Sequence, residues 1–350
     1  MSYQKSTFHH PELAVNDLGL TYRDYEASLS TLCAGCGHDS IGAAVIQACA
    51  ELSLPPHRIA KLSGIGCSSK APTYFLSKAH GFNSVHGRMP SIVTGANMAN
   101  RDLTYIGMSG DGDTSAIGLG QFSHVIRRRL NMLYMVANNG VYGLTKGQTS
   151  ATADLGSKNK GGEENLLDGI DLATVALQMG ATFVARSFSG DKKQLVPLIK
   201  AALSHEGFAF IDIISPCVAF NNHANSSRSY DYVREHIQTL TVTDYVPVKE
   251  EITTECPEGT CQDICLHDGS ILRLHNAGED YDPRDRRKVI DTMEDHRERG
   301  EILTGLLYLD PTAEDLHAKL TTNALPLNTL SESLLCPGSE ALELINTSFR

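Results

Sequence analysis

Two short motifs constrain what this chain can fold into more than any other feature. The first is Gly110-Asp111-Gly112 and the second, after 25 intervening residues, is Asn138-Asn139. Each follows a short apolar segment, Leu103–Met108 and Met132–Ala137, and Ala116–Leu130 between them has helical periodicity. Two parallel strands joined by a helix end at the same edge of a sheet, where α/β proteins bind ligands. We therefore predict that the two motifs converge at that edge.

The residues of these motifs suit a metal ion that is shared with a phosphate group. Asp111 and Asn139 offer a carboxylate and an amide oxygen, which are hard ligands preferred by Mg²⁺. The helix that begins after Gly112 adds free N–H groups and a dipole that favours an anion. An ordinary βαβ unit with Asp111 as a turn residue is the alternative, which the paired asparagines disfavour.

Four cysteines in predicted loops form a second candidate site. Cys33 and Cys36 make a C-x-x-C motif, Cys67 follows a Gly-rich segment, and Cys217 comes just after the apolar segment Phe208–Ile214. Four thiolates hold either a tetrahedral Zn²⁺ or an iron–sulfur cluster. A C-x-x-C pair alone is also typical of a redox dithiol. The spacing does not choose among these three possibilities.

Six segments of the chain carry a resemblance to a known family. In chain order they are Cys33–His38, Gly64–Ser69, His86–Arg88, Gly110–Asp113, Asn138–Gln148 and Ser215–Cys217. Together they resemble the β subunits of 2-oxoacid:ferredoxin oxidoreductases over residues 20–225, with a looser similarity near 300–309. The Thr-Lys-Gly-Gln form of residues 145–148 resembles members that act on 2-oxoglutarate.

The resemblance implies thiamine diphosphate, Mg²⁺ and one [4Fe–4S] cluster as cofactors. The Mg²⁺ ligands would be Asp111, Asn139 and the main-chain carbonyl of Val141. The cluster ligands would be Cys33, Cys36, Cys67 and Cys217, and further cofactor contacts are expected from His38, Gly110, Gly112, Asp113, Gly143 and Leu144. For His38, a helix-capping or packing role is an equal alternative. Asp113 and Thr114 are expected to cap the following helix rather than to act in catalysis.

The implied activity is the coenzyme A-dependent oxidative decarboxylation of a 2-oxoacid, or the reverse carboxylation, with ferredoxin as the electron carrier. Thiamine diphosphate accepts the electrons released when CO₂ leaves, and a nearby cluster can pass them on, whereas zinc has no redox chemistry. The family's α subunit supplies the remaining thiamine-type domains, so this chain is expected to work as an αβ pair. A non-catalytic iron–sulfur or zinc protein is the less favoured alternative.

Three side chains are candidates for binding the substrate or the diphosphate: Lys146, His86 and Arg88. Lys146 is the one charged residue of the turn Tyr142–Gly147. A substrate with a second carboxylate needs a cation to offset the desolvation of that charge, which favours 2-oxoglutarate over pyruvate. Arg88 suits bidentate binding of an anion. The alternatives are a solvated or phosphate-binding lysine and a loop anchored by His86 and Arg88.

Composition excludes several classes of protein. The chain has 350 residues, 41% of them hydrophobic and 20% charged, which is typical of a globular protein. Its net charge of −11 argues against nucleic acid or an anionic membrane surface as the main partner. No segment has the roughly 20 apolar residues of a membrane span. With nine cysteines and no apolar leader at Met1–His10, the cytoplasm is the expected location.

Residues 31–217 are predicted to form an α/β domain, a doubly wound parallel sheet of the thiamine-diphosphate-binding type. Residues 1–30 form an arm and residues 218–350 a C-terminal extension, with a hairpin around His267–Gly269 and a charged helix over Asp285–Arg299. Further helices are predicted at Ile41–Leu52, Ser91–Asn100, Asp171–Met179 and Asp191–Ser204, and further strands at Thr182–Ala185 and Phe208–Ile214. Cys256, Cys261, Cys265 and Cys336 have no metal-site spacing and are expected to be independent thiols.

Overall fold

A computed structural model describes residues 11–159, 161–224, 226–248, 261–276, 281–336 and 338–349. Its strands are β1 (Ile59–Ser63), β2 (His80–Asn83), β3 (Thr104–Gly110), β4 (Met132–Asn138), β5 (Val141–Tyr142), β6 (Gln148–Thr149), β7 (Phe183–Phe188), β8 (Phe208–Ile214), β9 (Ile237–Thr239), β10 (Thr241–Val246), β11 (Cys261–Cys265), β12 (Ile271–Asn276) and β13 (Ile302–Leu309).

The α-helices are α1 (Gly37–Glu51), α2 (Met89–Ala99), α3 (Leu119–Arg127), α4 (Leu172–Met179), α5 (Lys192–Ser204), α6 (Tyr230–His236), α7 (Arg286–Glu298), α8 (Leu316–Leu320), α9 (Glu332–Leu335) and α10 (Gly338–Ser348). Among the described residues, none of the helices combines the length and the apolar character that crossing a membrane requires. The helices predicted from sequence periodicity correspond to α1, α2, α4, α5 and α7, with ends that differ by up to four residues.

The main sheet confirms the predicted fold class. Its eight strands lie in the order β2-β1-β3-β4-β8-β7-β13-β9, and every neighbouring pair is parallel except β13 with β7. A separate antiparallel sheet, β10-β12-β11, contains the predicted hairpin at His267–Gly269. Both β9 and β13 come from the predicted C-terminal extension, so that segment returns to the main sheet. The boundaries 1–30, 31–217 and 218–350 stay predictions.

Helices cover both faces of the sheet, as a doubly wound fold requires. On one face, α1 and α5 pack with the small β10-β12-β11 sheet against the buried side chains of the central strands. On the other face, α2, α3, α4 and α7 enclose a second apolar cluster that contains Phe122, Tyr134, Phe208 and Phe210. The central strands β4 and β8 are buried along their whole length, which is why their sequences are apolar except for Asn138 and Asp212.

The prediction of one helix over Ala116–Leu130 was wrong in its geometry. The chain forms a π-helical turn over Gly112–Ile117 and then the shorter helix α3. The two segments meet at Gly118, whose backbone lies against Gly87; a Cβ at Gly87 would be 2.8 Å from the Gly118 nitrogen. This close approach of two backbones fixes the break in the helix, and the apolar periodicity gave no sign of it.

A buried group of charges ties strands β7 and β8 to the amino-terminal end of α4. Arg186 on β7 donates to Asp212 on β8 at 3.0 Å and to both carboxylate oxygens of Asp171 at 2.6 and 2.8 Å. Asp171 also caps α4 by accepting from the Ala173 and Thr174 amides. Burial alone would raise the pKa of Asp171, but the Arg186 guanidinium outweighs it and holds that pKa below its usual value.

Replacing Arg186 with Met would leave two carboxylates without their shared cation, one of them deeply buried at Asp212. We expect the free energy of unfolding in urea to fall by about 3–5 kcal/mol, the usual cost of breaking a buried ion pair on one side. Arg297→Ala is the matched control, because Arg297 pairs with Glu294 at the surface; its expected cost is below about 1 kcal/mol. Equal losses in the two variants would contradict this description of the charge group.

Candidate functional site

The two motifs meet at the carboxyl edge of the sheet, as predicted. Asp111 follows β3 and Asn139 follows the neighbouring strand β4. The Asp111 carboxylate accepts from the Asn139 amide through Oδ1 at 3.4 Å and from the Gly140 amide through Oδ2 at 3.1 Å. One side chain therefore joins the two turns directly, although 27 residues separate Asp111 from Asn139 in the chain.

The hydrogen bonds leave Asp111 with one oxygen better able to bind a cation. Oδ2 accepts from both Gly140 and the Thr152 hydroxyl, the latter at 2.8 Å, whereas Oδ1 accepts, from the described residues within 3.5 Å, one hydrogen bond from Asn139. A carboxylate oxygen has two lone pairs, so Oδ1 keeps one free. Burial raises the pKa of Asp111, and the hydrogen bonds oppose that shift. A divalent cation at Oδ1 would further favour the ionised carboxylate.

Asn139 is folded into a tight local turn that orients its amide. Its Oδ1 accepts from the amide of Val141 at 3.1 Å, and its own carbonyl accepts from the Asn221 side chain at 2.7 Å. Both Asn139 and Val141 are buried. The carboxylate, the amide oxygen and the Val141 carbonyl are an oxygen donor set of the kind Mg²⁺ takes with phosphates.

The second glycine of the first motif is required by close packing. A Cβ at Gly112 would lie 2.5 Å from the ring of Tyr142, whose hydroxyl donates to the Gly112 carbonyl at 3.1 Å. Tyr142 belongs to the loop that follows Asn139. The Gly-Asp-Gly turn and the loop after the paired asparagines therefore fit together along two contacts.

Asp113 does not cap the helix, which corrects the sequence-based interpretation. Its buried carboxylate accepts from Ser109 at 2.6 Å and from the Gly87 amide at 2.7 Å, and its Oδ1 contacts Nδ1 of His86. A Cβ at Gly64 would overlap the same carboxylate. Asp113 therefore gathers three loops at the sheet edge. Thr114 does not cap the helix either, because its hydroxyl lies 3.1 Å from that of Tyr134.

A cavity of about 80 Å³ opens between these loops. Among the predicted cofactor contacts, those that line it are His38, Gly110, Asp111, Gly112, Asp113, Asn139, Val141, Gly143 and Leu144. Cys67 and His86 also line it, so the cavity touches the cysteine region as well as the diphosphate turn.

Lys146 and Arg88 lie outside the cavity lining. Lys146 is exposed, one residue beyond Thr145 on the cavity wall, and its φ of 81° is in the left-handed region. A side chain there costs about 1–2 kcal/mol relative to glycine. Arg88 is exposed and donates to the carbonyls of Gly87 and Ile117, each at 3.3 Å. In this structure Arg88 therefore supports the loop, and its role toward an anion stays a prediction.

His38 lies between the cavity and the cysteine loop. It is buried near the start of α1, and its Nδ1 is 2.7 Å from the hydroxyl of Ser215. Burial lowers the pKa of His38 to about 4, so the imidazole is neutral at neutral pH. Ser215 is two residues before Cys217, so this contact joins the loops that carry Cys36 and Cys217.

The four predicted cluster cysteines converge from three loops. A Cβ at Gly143 would lie 3.5 Å from the Cys67 sulfur and 3.7 Å from the Cys217 sulfur, so both thiols border the cavity wall. Burial raises the pKa of Cys36 to about 11, with smaller contributions from Cys217 and Cys33. Cys33 is exposed, while the other three are partly buried.

The cysteines approach one another without forming a closed metal site. In the described ranges, no three His, Cys, Asp or Glu side chains lie close enough to hold a metal ion. Four convergent thiols nevertheless fit the donor set of an iron–sulfur cluster. Cys256 is outside the described residues, and Cys265 and Cys336 are exposed thiols.

Thr152 is the site residue that sequence reasoning missed. It lies in the loop after β6 and donates to Asp111, yet a threonine in a loop rich in Gly, Ser and Asn belongs to no motif. Only the folded chain brings it to Asp111.

Comparisons with known proteins place this fold and site in a class. The family model described as "thiamine pyrophosphate enzyme, C-terminal TPP binding domain" matches residues 64–213, which include both turns. The chain therefore carries a thiamine-diphosphate-binding domain.

Comparison with individual relatives indicates which thiamine-diphosphate-dependent family the chain belongs to. The chain is 40% identical over 224 residues to a 2-oxoacid:ferredoxin oxidoreductase subunit beta of a Sulfolobus species, covering 64% of this chain and 73% of that one. It is 39% identical to the 2-oxoglutarate oxidoreductase subunit KorB of Mycobacterium tuberculosis, covering 54% and 51%. This chain belongs to the family of 2-oxoacid:ferredoxin oxidoreductase β subunits.

A solved structure is similar over most of the chain. The 2-oxoglutarate:ferredoxin oxidoreductase from Magnetococcus marinus, with 2-oxoglutarate, coenzyme A and succinyl-CoA bound, matches with a TM-score of 0.70 and 30% identity. The match covers 86% of this chain and 89% of that chain.

The packing of Gly64 against Asp113 can be tested by adding one methyl group. Gly64→Ala would push the carboxylate away from the loops it gathers, so we expect the free energy of unfolding to fall by about 1–3 kcal/mol, as for overpacking. Gly95→Ala on α2 is the control, because no atom lies within 4 Å of its Cβ position. There we expect a gain of about 0.5–1 kcal/mol from helix propensity. A neutral Gly64→Ala would show that the loops are not held as described.

Proposed function

We propose that this chain is the β subunit of an enzyme that decarboxylates 2-oxoglutarate oxidatively to succinyl-CoA and CO₂, or runs the reverse carboxylation. It would bind thiamine diphosphate and Mg²⁺ at the two turns and hold one [4Fe–4S] cluster on the four cysteines. Electrons would leave through the cluster to a ferredoxin. The observation that carries the proposal is the direct bonding of Asp111 to the Asn139 turn beside a cavity that the Cys67 loop also lines.

The residues present fit Mg²⁺ and a diphosphate. Asp111 Oδ1, the Asn139 side-chain oxygen and the Val141 carbonyl would hold the ion. Thiamine diphosphate, when bound, would accept the electrons of the bond that breaks as CO₂ leaves. The protein's part is to keep Asp111 ionised and fixed, to exclude water by burial, and to supply a neutral His38 on the cavity wall.

The size of the cavity supports the need for a partner. Pockets that enclose a cofactor-sized ligand have volumes of about 300–1,000 Å³, whereas this one has about 80 Å³. It has room for the metal end of the cofactor, so the rest would lie at the surface of this chain. Exposed apolar side chains surround that surface, namely Ile65, Val85, Ile117 and Leu144. We propose that the α subunit covers them and completes the substrate pocket.

The cysteine arrangement supports electron transfer rather than a purely structural metal. Cys67 lines the same cavity as Asp111 and Asn139, so a cluster on its sulfur would lie beside the bound cofactor. A redox group beside the reacting centre can accept the electrons that the reaction releases, whereas zinc has no redox chemistry. Ferredoxin, coenzyme A and a cytoplasmic location are further parts of the proposal.

Lys146 supports 2-oxoglutarate as the substrate. Lys146 is exposed and follows Thr145 of the cavity wall. Its turn is held by two backbone hydrogen bonds, Lys146 N to Gly143 O and Gly147 N to Tyr142 O. Lysine occupies a backbone conformation there that glycine adopts at less cost. A charge directed at a second substrate carboxylate would justify that cost. Pyruvate or another 2-oxoacid is the alternative substrate.

Metal and cofactor analysis of the αβ complex, purified without oxygen, tests the core of this proposal. We expect about four irons and four sulfides per β chain, with bound thiamine diphosphate and no stoichiometric zinc. Cys67→Ser should lose most of the iron, whereas Cys336→Ser, which alters an exposed thiol, should keep it. Zinc without thiamine diphosphate would favour the non-catalytic metal protein instead.

Lys146→Ala tests the substrate. We expect the KM for 2-oxoglutarate to rise by about tenfold, since about 1.4 kcal/mol of charge-assisted binding is lost, with a smaller change for pyruvate. Lys146→Arg should keep most of the affinity because it keeps the charge. Lys193→Ala, at the exposed start of α5, is the control for loss of a surface cation. Equal losses on both substrates would rule out the role assigned to Lys146.

A further inference from the structure

The hydroxyl of Thr152 occupies a central position among buried polar groups. Its Oγ1 is 2.8 Å from Asp111 Oδ2, 3.0 Å from Asn138 Oδ1 and 3.3 Å from the Ser150 hydroxyl. Thr152, Asp111, Asn138 and Ser150 are all buried. A contact to Asp111 from a third loop therefore exists in addition to those from the asparagine turn.

Asn138, the first asparagine of the pair, anchors this group to the sheet. Its Nδ2 donates to Asp212 Oδ1 at 3.0 Å, which fixes its amide with the oxygen toward Thr152. Asp212 is itself held by Arg186. Asn138 therefore bonds to Thr152 and to Asp212, and the two asparagines have different roles: Asn139 belongs to the site, and Asn138 supports it.

The main chain of Thr152 is fixed as well. Its carbonyl accepts from the Arg228 guanidinium at 3.2 Å, and its amide donates to the Ser150 hydroxyl at 3.3 Å. The position of Oγ1 is thus determined by contacts on both sides of the residue. Such immobilised groups next to a metal ligand set the ligand's orientation and its affinity for the metal.

The Thr152 hydroxyl can donate its single proton to only one acceptor at a time. A hydroxyl has one proton, and two acceptors lie within reach, the Asp111 carboxylate and the Asn138 amide oxygen. The ionised carboxylate is the stronger acceptor, so the proton goes to Asp111 whenever that group carries its charge. Ser150 can donate to the Thr152 oxygen in turn.

We propose that Thr152 is a positioning residue for Asp111. By occupying Oδ2, it directs Oδ1 to the metal, and it is supported by Asn138, Asp212 and Arg186 from three neighbouring strands. This inference rests on the proposed function, since it concerns the proposed Mg²⁺ ligand. It assigns a role to a loop threonine and to the first asparagine, neither of which would contact the metal.

The test is the affinity of Mn²⁺, used in place of Mg²⁺, for the αβ complex with saturating thiamine diphosphate and no substrate. Free Mn²⁺ is followed by its electron paramagnetic resonance signal. Thr152→Val keeps the shape of the side chain but removes the hydroxyl, and we expect the Mn²⁺ dissociation constant to rise about 10-fold or more, as for other residues that support a metal ligand. Thr152→Ser keeps the hydroxyl and should stay within about threefold of the wild type.

The outcomes separate this inference from the proposed function. If the wild-type complex binds no Mn²⁺ in the presence of thiamine diphosphate, the proposed function fails and the inference fails with it. If the wild type binds Mn²⁺ and Thr152→Val binds it equally well, only the role of Thr152 is overturned. The same holds if the Ser and Val variants lose affinity equally. Should Thr152→Val not fold, Thr152→Ala removes the same hydroxyl without a methyl against the carboxylate.

Discussion

The carboxylate of Asp111 is the interaction on which the rest of the site depends. It bonds to the amides of Asn139 and Gly140 and to the hydroxyl of Thr152, and so joins the ends of two neighbouring strands and a third loop. A buried carboxylate is costly unless donors surround it. The chain meets that cost with two backbone amides and the Thr152 hydroxyl, and these contacts leave Oδ1 with one free lone pair.

Asp113, two residues further on, likewise holds neighbouring loops together at the cavity wall. It gathers Ser109, the Gly87 amide and His86, and it leaves no room for a side chain at Gly64. Gly64 is therefore a consequence of this buried carboxylate, and Gly87 is a consequence of the close approach to the backbone of Gly118. The cavity is narrow because the loops are held this tightly, and in our proposal the α subunit encloses the rest of the cofactor.

The sequence predicts the class of fold and the meeting of the two turns because both follow from local rules. Apolar segments of strand length, a helical period between them and a glycine turn specify a βαβ unit wherever the remainder of the chain goes. The prediction failed where a long-range contact decides the structure. Gly118 ends the π-helical turn because Gly87 packs on it, Asp113 turns away from its helix toward three loops, and Thr152 reaches Asp111 from a loop without a motif. The return of β13 to the main sheet likewise depends on pairing with β7, far away in sequence.

The most direct test of this account is a crystal structure of the αβ complex grown with thiamine diphosphate and Mn²⁺, with the metal located by its anomalous scattering. The account predicts one peak at the diphosphate, about 2.1 Å from the Asp111 carboxylate, the Asn139 amide oxygen and the Val141 carbonyl, with Thr152 still bonded to the other oxygen of Asp111. A diphosphate bound away from the two turns, or a metal held by other residues of this chain, would contradict it.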